Sequence, residues 1–260
     1  MHLYRFPVKV GFGKSPTFQY FEVSCSHLHE ISPMIASYNL GENALTRCAS
    51  TKDLGVTFQD NWKFSSHVEE VCSKASSRLA FIMRSAGSFN NTLVLRTLYD
   101  ALVRSVLESD SIIWIPRVAK FILMLEKVER KFLRYLYMRE YGYYPFLYPS
   151  DFVLGALGYN SLSSRRKVYV VKHFWKLLVG VFDNPSVLEQ LPFWAPEVGR
   201  SSRNRLLLLP LKARSRVLFD SPFAIAVRLL NIVHSSIDLF SVPYEELVRF
   251  MWDNARNLCI

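Results

Sequence analysis

Near residue 64 the spacing of apolar residues changes from two to 3.6, and that switch constrains the chain more than any other feature. In Ser50-Thr51-Lys52-Asp53-Leu54-Gly55-Val56-Thr57-Phe58-Gln59-Asp60, Leu54, Val56 and Phe58 alternate, as one buried face of a sheet requires. The stretch reads as a strand interrupted by Gly55, where a glycine marks a bulge or a close backbone approach by another chain or ligand. From Ser65 to Ser85, Val68, Val71, Cys72, Ala75, Leu79, Ile82 and Met83 instead line one face of a helix. Glu69, Glu70, Lys74 and Arg78 fall on the other. Ser65 or Ser66 is the expected N-cap, with Glu69 placed for a capping contact. Asn61-Trp62-Lys63-Phe64 closes the sheet, its two aromatics stapling strands to helix.

Before this switch the chain reads as strands: Val8, Val10 and Phe12 alternate, as do Phe21, Val23 and Cys25, and Asn39-Leu40-Gly41-Glu42-Asn43 carries turn chemistry. After it the chain reads as helices. One opens at Asn90-Asn91-Thr92 with Leu95, Leu98, Tyr99, Leu102, Val106 and Leu107 inward, and Pro116 stops the chain beyond it. The next, about Val118 to Arg139, turns Ile122, Leu125, Val128, Phe132, Leu133 and Leu136 inward and Glu126-Lys127 and Glu129-Arg130-Lys131 outward. Tyr141 to Tyr148 is an aromatic loop, which packs over helix ends or stacks on unpaired bases. Ser150-Asp151 caps a short helix that stops at Gly155 or Gly158. Ser161 to Ser164 caps a longer one with Val168, Val171, Phe174, Trp175, Leu178 and Val181 buried and Arg165, Arg166, Lys172 and Lys176 free. Asp183 to Arg205 is the candidate linker, Leu206 to Leu209 a short strand, and Phe223 to Val233 and Tyr244 to Trp252 two closing helices.

A chain of 260 residues supports one good core or two modest ones. Its apolar run from Phe174 to Phe182 is short and holds Lys176, so no membrane span is expected. No signal-peptide order stands at the start, which points to an intracellular protein, nuclear or cytoplasmic rather than secreted. Cys25, Cys48, Cys72 and Cys259 lie far apart without metal-ligand spacing, and read as buried thiols of a reducing compartment. His27 and His29 near Cys25 read as a solvated loop, so no metal ligand is assigned. The net charge of +10 is concentrated: Ser161 to Asp220 holds eleven basic and four acidic residues, a net +7. Such a stripe attracts a polyanion through its field and through counterion release; the alternative is a solvated helix face plus a basic loop.

The sequence resembles the reverse transcriptases of jockey-like non-LTR retrotransposons. The likeness runs through Ser32-Pro33, Tyr38-Asn39-Leu40-Gly41, Leu45-Thr46-Arg47 and Lys52-Asp53-Leu54-Gly55-Val56. It continues through His67-Val68, Ser73-Lys74-Ala75, Leu79-Ala80-Phe81-Ile82-Met83-Arg84, Leu98-Tyr99, Leu102 to Glu108 and Trp114. Val128 to Leu136, Leu157-Gly158, Leu162 and Arg165-Arg166-Lys167 complete it, covering roughly residues 31 to 182; residues 1–30 match nothing. The resemblance implies the end of a palm followed by a helical thumb. Leu54, Gly55 and Val56 look like the primer grip, which holds a primer terminus by close backbone approach. A thumb tracks a template–primer duplex, and charge and position make Arg78, Arg84, Arg165, Arg166, Lys167, Lys172 and Lys176 the candidates for backbone contacts.

The family's metal-binding aspartates are missing. No adjacent aspartate pair occurs, and Tyr99-Asp100 lies in an expected helix rather than a hairpin turn. Two-metal phosphoryl transfer needs clustered carboxylates, so no catalytic residue and no cofactor are assigned, although magnesium serves the full-length family. Gly13-Lys14-Ser15 imitates a Walker loop, but Val8 stands where its first glycine belongs. The expectation is a mainly α chain with a small antiparallel β remnant, α+β with a helical thumb-like bundle. Its parts are residues 1–30 of unmatched strands and loop, a palm-end hairpin at 31–62, the thumb-like region at 63–182, and a C-terminal extension at 183–260. Its function is expected to be that of a C-terminal reverse-transcriptase fragment. Such a fragment holds an RNA–DNA duplex, and its palm and fingers stand upstream in a longer parent protein. The alternative is a helical structural or interaction module, or a relic of a mobile element.

Overall fold

The computed structural model describes residues 4–10, 17–23, 39–40, 43–44, 48–60, 64–88, 91–194, 206–212, 216–219 and 221–255. The chain is mainly helical with small two-stranded antiparallel sheets, in the expected class. It divides into two compact units, Met1–Glu70 and Val71–Ile260, the division falling within the first helix. Expectations for Phe12, Gly13-Lys14-Ser15, Cys25, His27, His29, Trp62, Arg200, Arg203, Arg205, Arg214 and Cys259 lie outside the described residues.

In the first unit, β1 (Tyr4–Val10) pairs with β2 (Thr17–Val23), Tyr4 opposite Val23 and Val10 opposite Thr17. A short ladder joins β3 (Asn39–Leu40) to β4 (Asn43–Ala44). β5 (Ser50–Asp53) and β6 (Val56–Gln59) form a hairpin, which corrects the reading of one strand interrupted at Gly55. Leu54 and Gly55 are its two-residue turn, with φ of 45° and 88°. Positive φ at both positions gives the mirror-image turn whose twist matches the flanking strands. Leu54, expected inward, is 91% exposed at the tip, and the face is made by Thr51 and Val56. The apolar alternation of Leu54, Val56 and Phe58 begins inside the turn itself, which hid the reversal.

Helix α1 (Ser65–Ser85) buries Val68, Val71, Cys72, Ala75, Leu79 and Ile82, as their spacing requires. Its opening is not capped as expected: Gln59 Oε1 accepts from the Ser65 hydroxyl at 3.0 Å and the Ser66 N–H at 3.4 Å. Thr57 N–H donates to His67 Nδ1 at 3.2 Å and Lys52 Nζ pairs with Glu70 at 3.1 Å, which ties β5–β6 to the first turns of the helix.

The second unit packs its helices around buried apolar side chains. Helix α2 (Thr92–Tyr99) is capped by Asn91, whose side chain accepts from Leu93 N–H. It passes through a π-helical turn, Asp100–Arg104, into α3 (Ser105–Glu108). The wide turn shifts the inward stripe, so Val103 is fully buried and Leu102 and Val106 only half-buried. Helix α4 (Ala119–Tyr141) ends on Gly142 in the left-handed conformation (φ 82°). Tyr99 of α2 and Phe132 of α4 stack with centroids 3.8 Å apart. α5 (Ser150–Ala156) is short, and α6 (Leu162–Leu178) is capped by the Ser161 hydroxyl, which accepts from Ser164 N–H at 3.2 Å.

The expected linker contains α7 (Pro185–Leu188), and the expected strand is a single bridge, Phe193 with Leu208. Beyond α8 (Arg216–Phe219), helices α9 (Pro222–His234) and α10 (Tyr244–Asp253) lie where two closing helices were expected. With α6 they enclose Val171, Trp175, Leu208, Leu230 and Leu247. Asn231 of α9 clamps the leucine segment, accepting from Leu207 and Leu208 N–H and donating to the Leu208 carbonyl at 2.8 Å. Val181, expected inside, is 61% exposed because α6 ends at Leu178, before it.

Candidate nucleic-acid interface

The sequence placed seven cations on helix faces, and the structure divides them. Arg78 and Arg84 of α1 are exposed; Arg78 donates to the Leu102 carbonyl at 2.9 Å. Lys167, Lys172 and Lys176 of α6 are half-buried. Lys172 lies 5.5 Å and Lys176 5.3 Å from the centre of the Tyr244 ring, and Lys176 also lies 5.3 Å from that of Phe182. Neither lysine has a carboxylate partner among the described residues, so their charges bear on solvent and on aromatic faces.

Arg165 and Arg166 are not free, which corrects the expectation for both; they are 4% and 5% exposed. Arg165 Nε pairs with Glu108, Nη2 donates to Glu129 Oε1 at 2.6 Å, and Nη1 donates to the Asn160 carbonyl at 2.5 Å. Glu129 also accepts from Leu162 N–H at 3.2 Å, and Glu108 from the Tyr169 hydroxyl at 2.9 Å. Glu129, expected outward, is 2% exposed. Burial alone would lower the Arg165 guanidinium, but Glu129 and Glu108 outweigh it and hold it above its ordinary value. Burial pushes the Glu129 carboxyl up, against the pull of Arg165. The result is a satisfied internal ion cluster fixing α3, α4 and α6 to one another, with no exposed acid or base for chemistry.

Glu129 was missed although its position signals it: it stands four residues after Leu125 and three before Phe132, on the inward stripe. Arg166 is likewise four residues from both Leu162 and Val170, which are fully buried. Reading charge before period put both residues on the wrong face.

Beside the cluster a cleft of about 390 Å³ is lined by Arg96, Asp100, Arg104, Tyr159 and Arg165 among others. Its surface charges are paired, Arg96 with Glu140 at 2.8 Å and Arg104 with Asp100 at 3.0 Å. Burial raises the Asp100 carboxyl, and burial with Asp100 nearby raises the Tyr159 phenol to about 12. Among the described residues no group of His, Cys, Asp and Glu is placed to hold a metal ion, and no helix is long and apolar enough to cross a membrane.

In the primer-grip-like turn, Leu54 is exposed, Val56 is buried, and a Cβ built on Gly55 would meet nothing within 4 Å. The turn tip is open, and positive φ rather than crowding explains its glycine. No protein-family model, no curated protein and no solved structure matches the chain.

Proposed function

We propose that this chain is the C-terminal part of a reverse transcriptase of the jockey-like non-LTR class, and that it holds the phosphate backbone of an RNA–DNA template–primer duplex without catalysing synthesis. The observation that carries the reading is the set of cations left outside. Arg84, Lys172 and Lys176 have no carboxylate partner among the described residues, and Arg78 contacts only a carbonyl. On a chain of net charge +10 they supply a field for a polyanion. The thumb-like role of the helices, the primer-grip role of Leu54, Gly55 and Val56 and the magnesium of the parent enzyme rest on the sequence resemblance. Arg165 and Arg166 have no part in the contact set.

Fluorescence anisotropy with an RNA–DNA duplex across a salt series tests the proposal. The expected affinity falls linearly in log–log form, losing about 0.7–0.9 in slope for each phosphate contact. The double variant Lys172→Glu/Lys176→Glu should weaken binding at least about tenfold, because each lysine becomes a repelling charge. Affinity independent of salt, or unchanged in the double variant, overturns it. The resemblance has its own test in the transcript upstream of the Met1 codon, where an in-frame Tyr-x-Asp-Asp turn is expected.

The exposed loop between α4 and α5 favours a second reading, a helical interaction module. There Tyr143, Tyr144, Phe146 (81% exposed), Leu147 (92%) and Tyr148 face outward, held by Arg134 bonds to the carbonyls of Pro145 and Tyr148. Patches of this kind mark contact surfaces. A chain that binds no duplex but loses a protein partner on Phe146→Ser/Leu147→Ser would establish this reading instead.

A further inference from the structure

We infer, building on the nucleic-acid reading above, that the loop between α4 and α5 and the basic stripe leading to it hold unpaired nucleotides of single-stranded RNA. Loop residues Tyr143, Tyr144, Phe146 and Tyr148 are exposed, as is Phe152 of α5. Tyr143 and Tyr148 lie 6.3 Å apart at 72°, Tyr144 and Phe146 6.3 Å at 54°, and Tyr148 and Phe152 4.9 Å at 49°. None of the three pairs is stacked, which leaves ring surface outward to meet a base. Every base has a π-face, so such rings take up unstacked bases whatever the sequence. The loop is also held in place. The Arg134 guanidinium donates to the carbonyls of Pro145, Phe146 and Tyr148, the last at 3.1 Å. Phe146 N–H donates to the Tyr144 carbonyl at 2.9 Å, and the Tyr137 and Tyr143 hydroxyls lie 2.8 Å apart. A strand landing here need not order the loop first.

Charge selects the occupant. Lys127, Lys131 and Arg134 stand four and three positions apart, hence on one face of α4, and Arg134 brings that face up to the loop. Both lysines are exposed, with no carboxylate partner among the described residues. The bonds of Arg134 go to neutral carbonyls, so its charge is not offset. Of the acids in this stretch, Glu126, Glu129 and Glu140 are engaged by Arg130, Arg165 and Arg96. That leaves Asp151, exposed in the first turn of α5. Three cations against one acid, running up to a set of rings, match a strand that offers phosphates and bases together. An apolar protein surface would leave the lysines unmatched. RNA rather than DNA is assigned because the Tyr144 side chain, exposed at the rim, presents its hydroxyl to a ribose 2′-OH.

Fluorescence anisotropy of the full chain with a labelled oligouridylate of about 12 nucleotides, a usual single-strand site size, tests the platform beside a blunt RNA–DNA duplex. Tyr144→Ser/Phe146→Ser should weaken oligouridylate binding at least about tenfold and leave the blunt duplex unchanged. Lys127→Gln/Lys131→Gln should lower the log–log salt slope for the single strand by about 0.7 for each lysine. Phe146→Trp should keep the affinity, and its added indole emission, read as the difference from the parent, should be quenched by the RNA. Oligodeoxyuridylate should bind about fivefold more weakly than oligouridylate, the worth of one hydrogen bond. The duplex reading fails on a different measurement, the blunt duplex with Lys172→Glu/Lys176→Glu, so the two fail separately. The platform is overturned if the parent does not bind oligouridylate, if the serine variant binds it like the parent or loses the duplex equally, or if oligodeoxyuridylate matches it. A parent that sediments as a dimer, with a monomeric serine variant of unchanged RNA affinity, would make the loop a contact between copies instead.

Discussion

Helix α6 is cationic at both ends, and its two ends have opposite fates. In the first turn Arg165 meets two carboxylates from helices 57 and 36 residues earlier in the chain. Two to three turns later Lys172 and Lys176 meet only aromatic rings and solvent. One difference is the partner, since Glu108 and Glu129 reach only the first turn. Another is the side chain. The planar guanidinium satisfies three acceptors at once, whereas the two ammonium groups on flexible stems stay at the edge near the Tyr244 ring. A basic run in a sequence is therefore not one feature. Part of this one is internal structure and part is surface available to an anion.

The sharpest way to break the comparison is Arg165→Leu. It strands two buried carboxylates, and the expected loss is about 3–5 kcal/mol in urea unfolding. A loss below about 1 kcal/mol would place the first turn in the same class as the lysines. Replacing Glu108, Glu129, Arg165 and Arg166 together by apolar residues of similar size should restore most of that stability, because no charge of this buried group is then left unpaired. Next in size is Trp175→Phe in the middle of the helix. Its indole N–H donates to the Leu239 carbonyl at 2.8 Å in the core. Leaving that carbonyl unpaired should cost about 1–3 kcal/mol in the same assay.

Lys172→Gln/Lys176→Gln sharpens the contrast from the other side. Its stability should change by less than about 1 kcal/mol, the worth of exposed cation–π contacts, while duplex affinity falls. A large loss of stability without loss of affinity would reverse the assignment of the two ends. The smallest effect concerns His173, exposed on the same stretch, whose imidazole is held below the ordinary 6.5 by partial burial and by Lys176. A lowered folded-state value means that the unfolded chain binds more protons below about pH 6.5, so this part of the stability is lost as the pH falls. Unfolding midpoints measured from pH 7.5 to 5 should decline less steeply in His173→Asn than in the parent.

Legibility in the sequence was uneven for specific reasons. The helices α1, α4, α6, α9 and α10 stand within a few residues of their expected bounds, because their apolar period and capping residues are local. The β5–β6 turn was misread because Leu54 shares the parity of Val56 and Phe58 while occupying the tip, and the inward positions change from odd (Thr51) to even (Val56) across the turn. The shift at Asp100–Arg104 was invisible, since one wide turn moves the stripe without any glycine or proline to mark it. Of the candidate contacts, Arg78 was placed on the outer face where it lies, while Arg165 and Arg166 were read as free and are buried.

The sequence by itself determined the change from strand to helix, the faces of the long helices, the charge balance and the absence of clustered aspartates. These depend on residues a few positions apart, and the chain's own geometry links them. Only the tertiary structure decided which cations are structural. Whether an arginine on a helix is inside or outside depends on whether carboxylates distant in the chain arrive beside it to offset its dehydration. Glu108 and Glu129 arrive beside Arg165 and none is left for Arg166, a fact that no local spacing encodes.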